Sequence, residues 1–204
     1  MGATSTFGLH KVAEADFPTR FGSFRIYGFD GRGPDCTEEA VVLAMGELAG
    51  DPPLVRIHSQ CLTGDVFHSL RCDCRSQLEL SLERIAAEGR GLLIYEHQEG
   101  RGIGLLNKLR AYQLQDEGAD TVEANEQLGF EADLRDYELP GAILSYFGVT
   151  SVRLLSNNPR KIEALERAGI QIAERIPCQA AHTGSTAYYL RTKKEKLGHL
   201  LEGL

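Results

Sequence analysis

Nowhere do the 204 residues come near the roughly 20 consecutive apolar positions needed to cross a bilayer, so no membrane-spanning role is expected. The opening MGATSTFGLHKVAEADF has no basic segment followed by an apolar core, so no secretory leader is read there. Met1 and Gly2 with Ser5 or Thr6 match a myristoylation start only loosely. Positive charge is in deficit: 22 Lys and Arg face 29 Asp and Glu, a formal charge of −7. That argues against a general nucleic-acid binder, which would carry a basic footprint. A phosphorylated small substrate stays compatible, provided a local basic pocket overrides the global field. Five cysteines, an odd number, without an export signal fit a reducing cytoplasm better than a disulfide framework. No internal repeat, low-complexity tract or linker divides the chain. Its 42% hydrophobic and 25% charged content is that of an ordinary globular domain with a real core.

What is present is concentrated. Cys61, Cys72 and Cys74 fall within CLTGDVFHSLRCDC. Cys72 and Cys74 are one residue apart and can splay onto one ion, leaving Cys61 to supply a third bond. Three thiolates on Zn²⁺ leave one tetrahedral position open for a reactive water, whereas closed structural sites have four protein ligands. No fourth cysteine is near, because Cys36 and Cys178 are distant in sequence. His68 lies inside the loop and would close the site if it were a ligand. The other reading is three buried, reduced thiols with no metal.

Residues 8–48 read as strands and turns, with Phe24, Ile26 and Phe29 set against Arg25 and Tyr27, and a turn at 30–36. A third strand, PLVRIHSQC, carries Leu54 and Ile57 inward and runs into Cys61, with Arg56, His58 and Gln60 sharing its other face. Residues 75–88 repeat Leu78, Leu82 and Ile85 at helical spacing and stop at Gly89. After the strand GLLIYEH, the turn QEGRGIG opens a helix with Leu105, Leu109 and Tyr112 on one stripe. A glycine-rich turn between strand and helix can cradle phosphate, although this one is neither a dinucleotide fingerprint nor a P-loop. Residues 116–136 are acidic and turn-rich, a surface excursion or an active-site loop holding Asp133 and Arg135. A helix at 137–148 and the strand SVRLLS follow. Asn158 then caps a helix beginning at Pro159, with Arg160 and Lys161 placed to meet an anion. A strand at 169–177 and a short basic amphipathic helix in KKEKLGHLLEGL complete the chain. Cations available for an anion pocket are Arg56, Arg71, Arg75, Arg101, Lys108, Arg110, Arg135, Arg160 and Lys161. Alternating strands and helices from 53 to 176 predict an α/β fold. That predicts a single compact domain, a mixed sheet with flanking helices whose N-terminal part is mainly β.

Together, HSQCLTGDVF, LRCDC, YEHQEGRGIGLLNKLRAYQLQDEG, DTVEAN, LGF, RDY and LLSNNPRK closely resemble GTP cyclohydrolase II over residues 8–202. The resemblance implies one such domain across 1–204 and the first step of riboflavin biosynthesis. GTP would lose pyrophosphate and its C8 as formate, leaving 2,5-diamino-6-ribosylamino-4(3H)-pyrimidinone 5′-phosphate. It implies Zn²⁺ on Cys61, Cys72 and Cys74, Mg²⁺ with the triphosphate, and a cytoplasmic homodimer. It assigns Tyr112 to catalysis, where the apolar stripe alone would make it a core residue. Asp133 and Arg135 become proton acceptor and nucleophile, although a guanidinium, always protonated in water, is better suited to electrostatic stabilisation. Substrate contacts fall on Arg56, His58, Gln60, Gln77, Glu99, Gly100, Arg101, Thr121, Ser156 and Lys161, with Glu99 placed to read the guanine edge.

The sequence departs from the family pattern at Gln60, where Glu is frequent, at His68 and Arg75, where Gly is familiar, at His97 for Arg, and at Ser156 for Thr. These leave room for a related enzyme of another pathway, or one that stops at the formamide. A silent guanine-nucleotide binder and a structural zinc module are the readings from other classes. A base deaminase is disfavoured, because its H-x-E…P-C-x-x-C pattern is absent.

Overall fold

Strand-forming alternation in the first third of the chain produces three long antiparallel strands: β1 (Gly8–Thr19), β2 (Gly22–Arg32) and β3 (Thr37–Met45). The computed structural model describes residues 8–32, 37–179, 194 and 196–201. The rest alternates: β4 (Leu54–Ser59), a single turn α1 (Leu62–Asp65), α2 (Cys74–Glu88), β5 (Gly91–Glu96), α3 (Leu105–Asp116), α4 (Thr121–Gln127), α5 (Glu138–Tyr146), β6 (Ser151–Leu155), α6 (Pro159–Arg167) and β7 (Gln171–Ile176). All seven strands form one mixed sheet in the order β1-β2-β3-β5-β4-β6-β7. The β1–β2, β2–β3 and β3–β5 pairs are antiparallel, and the β5–β4, β4–β6 and β6–β7 pairs are parallel. The expected α/β domain, mainly β at its N-terminal end, is what forms.

The sheet separates two cores. Val55, Ile57, Leu92, Ile94, Val152 and Leu154 point to the face covered by α5 and α6, where Leu139, Ile143, Leu144 and Leu165 meet them. Leu54, Leu93 and Leu155 point the other way, onto Leu82 and Ile85 of α2. Each such buried side chain contributes about 1.5–3 kcal/mol of burial free energy. Helix α2 ends at Gly89, whose φ of 67° is the left-handed cap that glycine takes without strain.

Four local expectations are corrected. Phe29 does not share a face with Phe24: Phe29 packs with Tyr27 in the larger core and Phe24 in the smaller, because odd and even strand positions face opposite sides. The stretch 116–136 is not all loop. It contains α4, started by a reciprocal capping box in which Asp120 accepts from the Val122 and Glu123 amides and Glu123 returns a bond to the Asp120 amide. The α3 stripe is not a core stripe, since Leu109 is 45% exposed and only Ala111 on that helix is buried. The C-terminal helix, seen at Lys194, Lys196 and Leu197, stops at Gly198 (φ 65°). The N-terminal lipidation motif, Cys36 and most of the 30–36 turn lie outside the described residues.

Candidate functional site

In open parallel sheets ligands bind outside the carboxyl ends of the strands. Here β4, β5 and β6 end side by side. The chain then turns into the cysteine loop after Ser59, the EGRG turn after Glu96, and the Ser156–Asn158 bend after Leu155. Loop 128–137 closes the cleft from above. Its Leu134 amide donates to the Arg101 carbonyl at 3.0 Å, and Arg101 Nη1 donates to the Ala132 carbonyl at 3.4 Å. Gly100 and Arg101 both take left-handed φ, 64° and 63°. Arg101 holds that strained shape at the turn on which the loop is seated.

The first lobe is built on sulfur. Cys61, Cys72 and Cys74 bring their Sγ atoms within 4.8 Å of one another. The Cys61–Cys72 separation is 3.7 Å, close to the roughly 3.8 Å that tetrahedral Zn–S bonds of about 2.3 Å would set. Gly64 makes the room: a Cβ there would lie 2.8 Å from Cys72 Sγ and 3.1 Å from Cys61 Sγ. Packed this closely, the thiols cannot all ionise unaided. Hydrogen bonds from Cys72 and Cys74, and Lys108 beside them, push Cys61 down; donating those bonds to Cys61, and then burial, push Cys72 and Cys74 up. A divalent cation removes that conflict, so the three cysteines form a group fit to hold a metal ion. His68 is exposed and is not among these ligands. Arg75 turns away as well, bonding the Asp65 carbonyl at 2.7 Å and pairing with Glu79.

Tyr112 stands over this lobe. Its hydroxyl is 3.0 Å from Thr63 Oγ1, which is 3.7 Å from Cys61 Sγ, and the Arg71 guanidinium lies 4.8 Å from its ring centre. Burial pushes the phenol up, so it keeps its proton at neutral pH. Gln60, Gly100 and Thr121 line the same lobe. Glu99, 7% exposed, is already engaged: its carboxylate accepts from Lys108 Nζ (2.7 Å), the Leu62 amide (2.7 Å) and the Gly100 amide (2.9 Å). Of a carboxylate's about four acceptor sites, that leaves about one for a ligand.

The second lobe is basic. Arg56 and His58 follow Leu54 along the same face of β4, so the strand passes from apolar to polar as it reaches the cleft. Both are buried, at 6% and 2% exposed. Arg56 donates to the Leu155 carbonyl (2.9 Å) and Gln77 Oε1 (2.7 Å). His58 Nε2 sits 3.2 Å from both oxygens of Asp65, which also accepts from the Tyr95 hydroxyl and the Cys61 amide. Burial pushes His58 down and leaves its ring neutral. Arg56 Nε and His58 Nδ1 are buried without a hydrogen-bond partner among the described residues. Lys161 Nζ donates to the Ile57 carbonyl at 2.9 Å, and burial followed by the nearby Arg56 charge pushes it well down. Ser156 completes this lobe. Of the two helix-start cations, only Lys161 faces it. Arg160 instead fastens the overhead loop through the carbonyls of Asp133 and Arg135.

Arg135 belongs to both lobes. Asp133 grips it with two parallel bonds, Nε to Oδ1 at 2.8 Å and Nη2 to Oδ2 at 2.6 Å. Burial alone would push Asp133 up, but Arg135 outweighs it and holds the carboxyl low. Arg135 Nη1 also reaches Ser59 Oγ at 3.4 Å. The residues assigned to catalysis, substrate and metal line these two lobes, Asp133 through its bonds to Arg135, whereas His68, Arg75, Arg110 and Arg160 do not. Those not singled out for their present contacts are Ser59, Thr63, Gly64, Asp65, Tyr95, Glu96 and Lys108. Lys108 had figured only as one pocket cation among nine.

A family model for GTP cyclohydrolase II matches residues 10–177. A GTP cyclohydrolase-2 of Teredinibacter turnerae is 55% identical over 96% of this chain and 98% of its own length. One of Pseudomonas putida is 56% identical over 93% of this chain and 92% of its own, and one of Shewanella amazonensis 50% identical over 95% and 94%.

Proposed function

The chain belongs to the GTP cyclohydrolase II family of enzymes, and from that membership and the two-lobed cleft we propose that it converts GTP to formate, pyrophosphate and 2,5-diamino-6-ribosylamino-4(3H)-pyrimidinone 5′-phosphate. The observation that carries the reading is the Asp133–Arg135 pair between a three-thiolate group and a buried cationic pocket. One water is consumed at the α–β phosphoanhydride and two at C8. The work is that of a single family domain across 1–204, placed in the cytoplasm as the first step of riboflavin biosynthesis.

The basic lobe takes the triphosphate. Arg56, Lys161, Ser156 and Gln77 hold it, with Mg²⁺ brought in on the phosphates themselves, since that ion prefers phosphate oxygens and water to an all-protein cage. A phosphate beside Lys161 offsets the burial that pushes its ammonium down and restores its charge. Arg135, kept planar and aimed by Asp133, spreads positive charge over the phosphoryl group as it transfers. It acts as a cation, because Asp133 stays ionised beside it.

The thiolate lobe takes the purine. Zn²⁺ on Cys61, Cys72 and Cys74 would supply Lewis-acid activation of water for C8. Gln60, Gly100 and Arg101 orient the base. Glu99 fixes the floor beneath it through Lys108 and Leu62. Tyr112, with its proton retained, donates to the ring nitrogen that leaves C8, and Thr63 holds the phenol at the angle for it. Thr121, at the first position of α4, sets the far wall.

We also assign a homodimer. Phe67, Leu70 and Leu106 are 69–72% exposed beside the cysteine loop and on α3, apolar surface that a second copy would cover. Sedimentation checks this, a monomer at micromolar concentration being the contrary result. The function is tested by incubating zinc-loaded protein with GTP and Mg²⁺, resolving products by mass and assaying formate and pyrophosphate. Release of both with the diaminopyrimidinone supports the assignment. Pyrophosphate with a retained formyl group limits the reaction to its first part, and neither, with GTP bound, refutes it.

A further inference from the structure

Lys108 makes a contact, to Cys61, that the proposed chemistry does not use. It comes from the first turn of α3, outside the cysteine loop, and its side chain is 12% exposed. Its Nζ lies 3.1 Å from Cys61 Sγ and 2.7 Å from Glu99 Oε1. Glu99 Oε2 in turn accepts from the amide of Leu62, the residue after Cys61, at 2.7 Å. A closed ring results: sulfur to ammonium, ammonium to carboxylate, carboxylate to the backbone beside the same cysteine. Glu99 thereby fixes both the position of Lys108 and the peptide that carries Cys61. The ammonium has three donors, and the carboxylate leaves the others free to address sulfur.

We propose that Lys108 is a positioning residue for the thiolate centre, donating an N–H···S bond that withdraws charge from Cys61 and thereby tunes the metal held by Cys61, Cys72 and Cys74. The inference rests on the metal reading given above. Three thiolates donate heavily and make a poor Lewis acid of the ion they hold. Placing a cation on one sulfur weakens that donation without adding a fourth protein ligand, so the remaining position stays open. Groups outside the ligand set that orient and polarise ligands in this way are worth about 10- to 100-fold in metal affinity.

The test loads the apo-protein with Co²⁺, which takes the same tetrahedral thiolate geometry and reports it optically. Wild type, Lys108→Met and Lys108→Arg are compared by the energy of the sulfur-to-cobalt charge-transfer band and by Zn²⁺ affinity in chelator competition. Loss of the N–H···S bond raises the energy of the sulfur lone pair, so the band of Lys108→Met moves to longer wavelength. Loss of the ammonium also leaves the excess negative charge of three thiolates on a divalent ion uncompensated and Cys61 less firmly placed, so affinity falls about 10- to 100-fold. Lys108→Arg, which keeps the cation, recovers most of both. Lys108→Gln, of similar length and uncharged, replaces the Met variant should that one not fold, with the same expectations. A band that stays in place refutes the inference, even with weakened affinity, because a purely structural bridge to Glu99 would give that result. Wild-type protein that takes up no cobalt refutes the metal assignment itself and is distinguishable from the first failure.

Discussion

Glu96 ends β5 at the floor of the cleft, 1% exposed, and burial lifts its carboxyl to about 7 despite the opposing pull of Lys161 and Arg135. The perturbation is Glu96→Gln, which keeps the shape and fixes the neutral state. The sign follows from where each state holds its proton. Below about pH 4.5 the carboxyl is protonated in native and unfolded chains alike and contributes no difference. From there to about pH 7 the unfolded chain ionises and the native one does not, so stability falls as pH rises. Above about pH 7 both are ionised and the whole cost remains. The gap between about 7 and the ordinary 4.5, at about 1.4 kcal/mol per pH unit, is about 3 kcal/mol. Glu96→Gln is expected to match wild type near pH 4.5 and to exceed it by up to about 3 kcal/mol at pH 8. For a chain of this size that is about 6–12 °C in Tm.

Urea unfolding of both proteins at pH 5, 6, 7 and 8 measures this, with the midpoint read at constant slope. Glu38, also lifted by burial and by Asp136 and Glu138, acts on Glu96 in turn, so the comparison is repeated with Glu38→Gln in both backgrounds. A stability difference that does not change with pH, or a Gln variant less stable at pH 8, refutes the reasoning. The same substitution should lower activity. Glu96 bonds Ser59 Oγ at 3.3 Å, Ser59 contacts Arg135, and the carboxylate supports the charge on Lys161. The more stable variant would then be the slower one.

Gly64→Ala should take up less than half the zinc that wild type does, read by metal analysis with far-UV circular dichroism unchanged, since the new methyl would displace two of the cysteine sulfurs while both cores lie elsewhere. Full occupancy in that variant would count against the three-cysteine site. Arg135→Lys loses the planar two-bond grip of Asp133 and should slow pyrophosphate release about 10²- to 10³-fold; a rate within a few-fold of wild type would remove Arg135 from the reaction.

The elements that sequence patterning revealed are those whose periodicity is decided locally. Leu78, Leu82 and Ile85 at helical spacing, Gly89 behind them and Asn158–Pro159 ahead of α6 all have their expected roles. Helix α4 escaped because Thr121–Gln127 has few apolar positions, yet Asp120 and Glu123 were a readable capping box. The stripe on α3 misled because helical spacing says which residues share a face and not what that face meets. The cysteines announced themselves by spacing, and Asp133 and Arg135 through the family motif. Asp65, Glu96 and Lys108 did not, because their importance lies in contacts across 30 or more positions of sequence, as for Tyr95 on Asp65 and Lys108 on Cys61. Glu96 looks like the end of an apolar strand until the sheet order places β4 and the Arg135 loop against it. Charge shows the same limit. A net −7 says nothing of a pocket in which Arg56, Arg135 and Lys161 converge.

The two lobes share Arg101, Arg135, Ser59 and Cys74 but differ in what each asks of the protein. The basic lobe is held by side chains with their own anchors: Lys161 on the Ile57 carbonyl, Arg56 on the Leu155 carbonyl and Arg135 on the Asp133 carboxylate. None of those anchors passes through Cys61 or Cys72. Cys74 touches both lobes, but its backbone is fixed as the first residue of α2, whose Leu82 and Ile85 are set in the smaller core. Stripping the metal should therefore leave the fold and the cationic pocket standing while removing what C8 requires. Chelated protein given GTP and Mg²⁺ is expected to release pyrophosphate within about tenfold of the loaded rate, a loss near the about 1.4 kcal/mol that one tenfold step represents. Formate should fall below detection, and guanosine monophosphate should accumulate in place of the diaminopyrimidinone. Re-added zinc should restore formate. If chelation stops both products together with the circular dichroism intact, the lobes are coupled and Cys74 and Arg135 are the residues through which they communicate. If chelation unfolds the chain, the three cysteines hold a structural ion and the assignment of ring opening to that lobe is wrong.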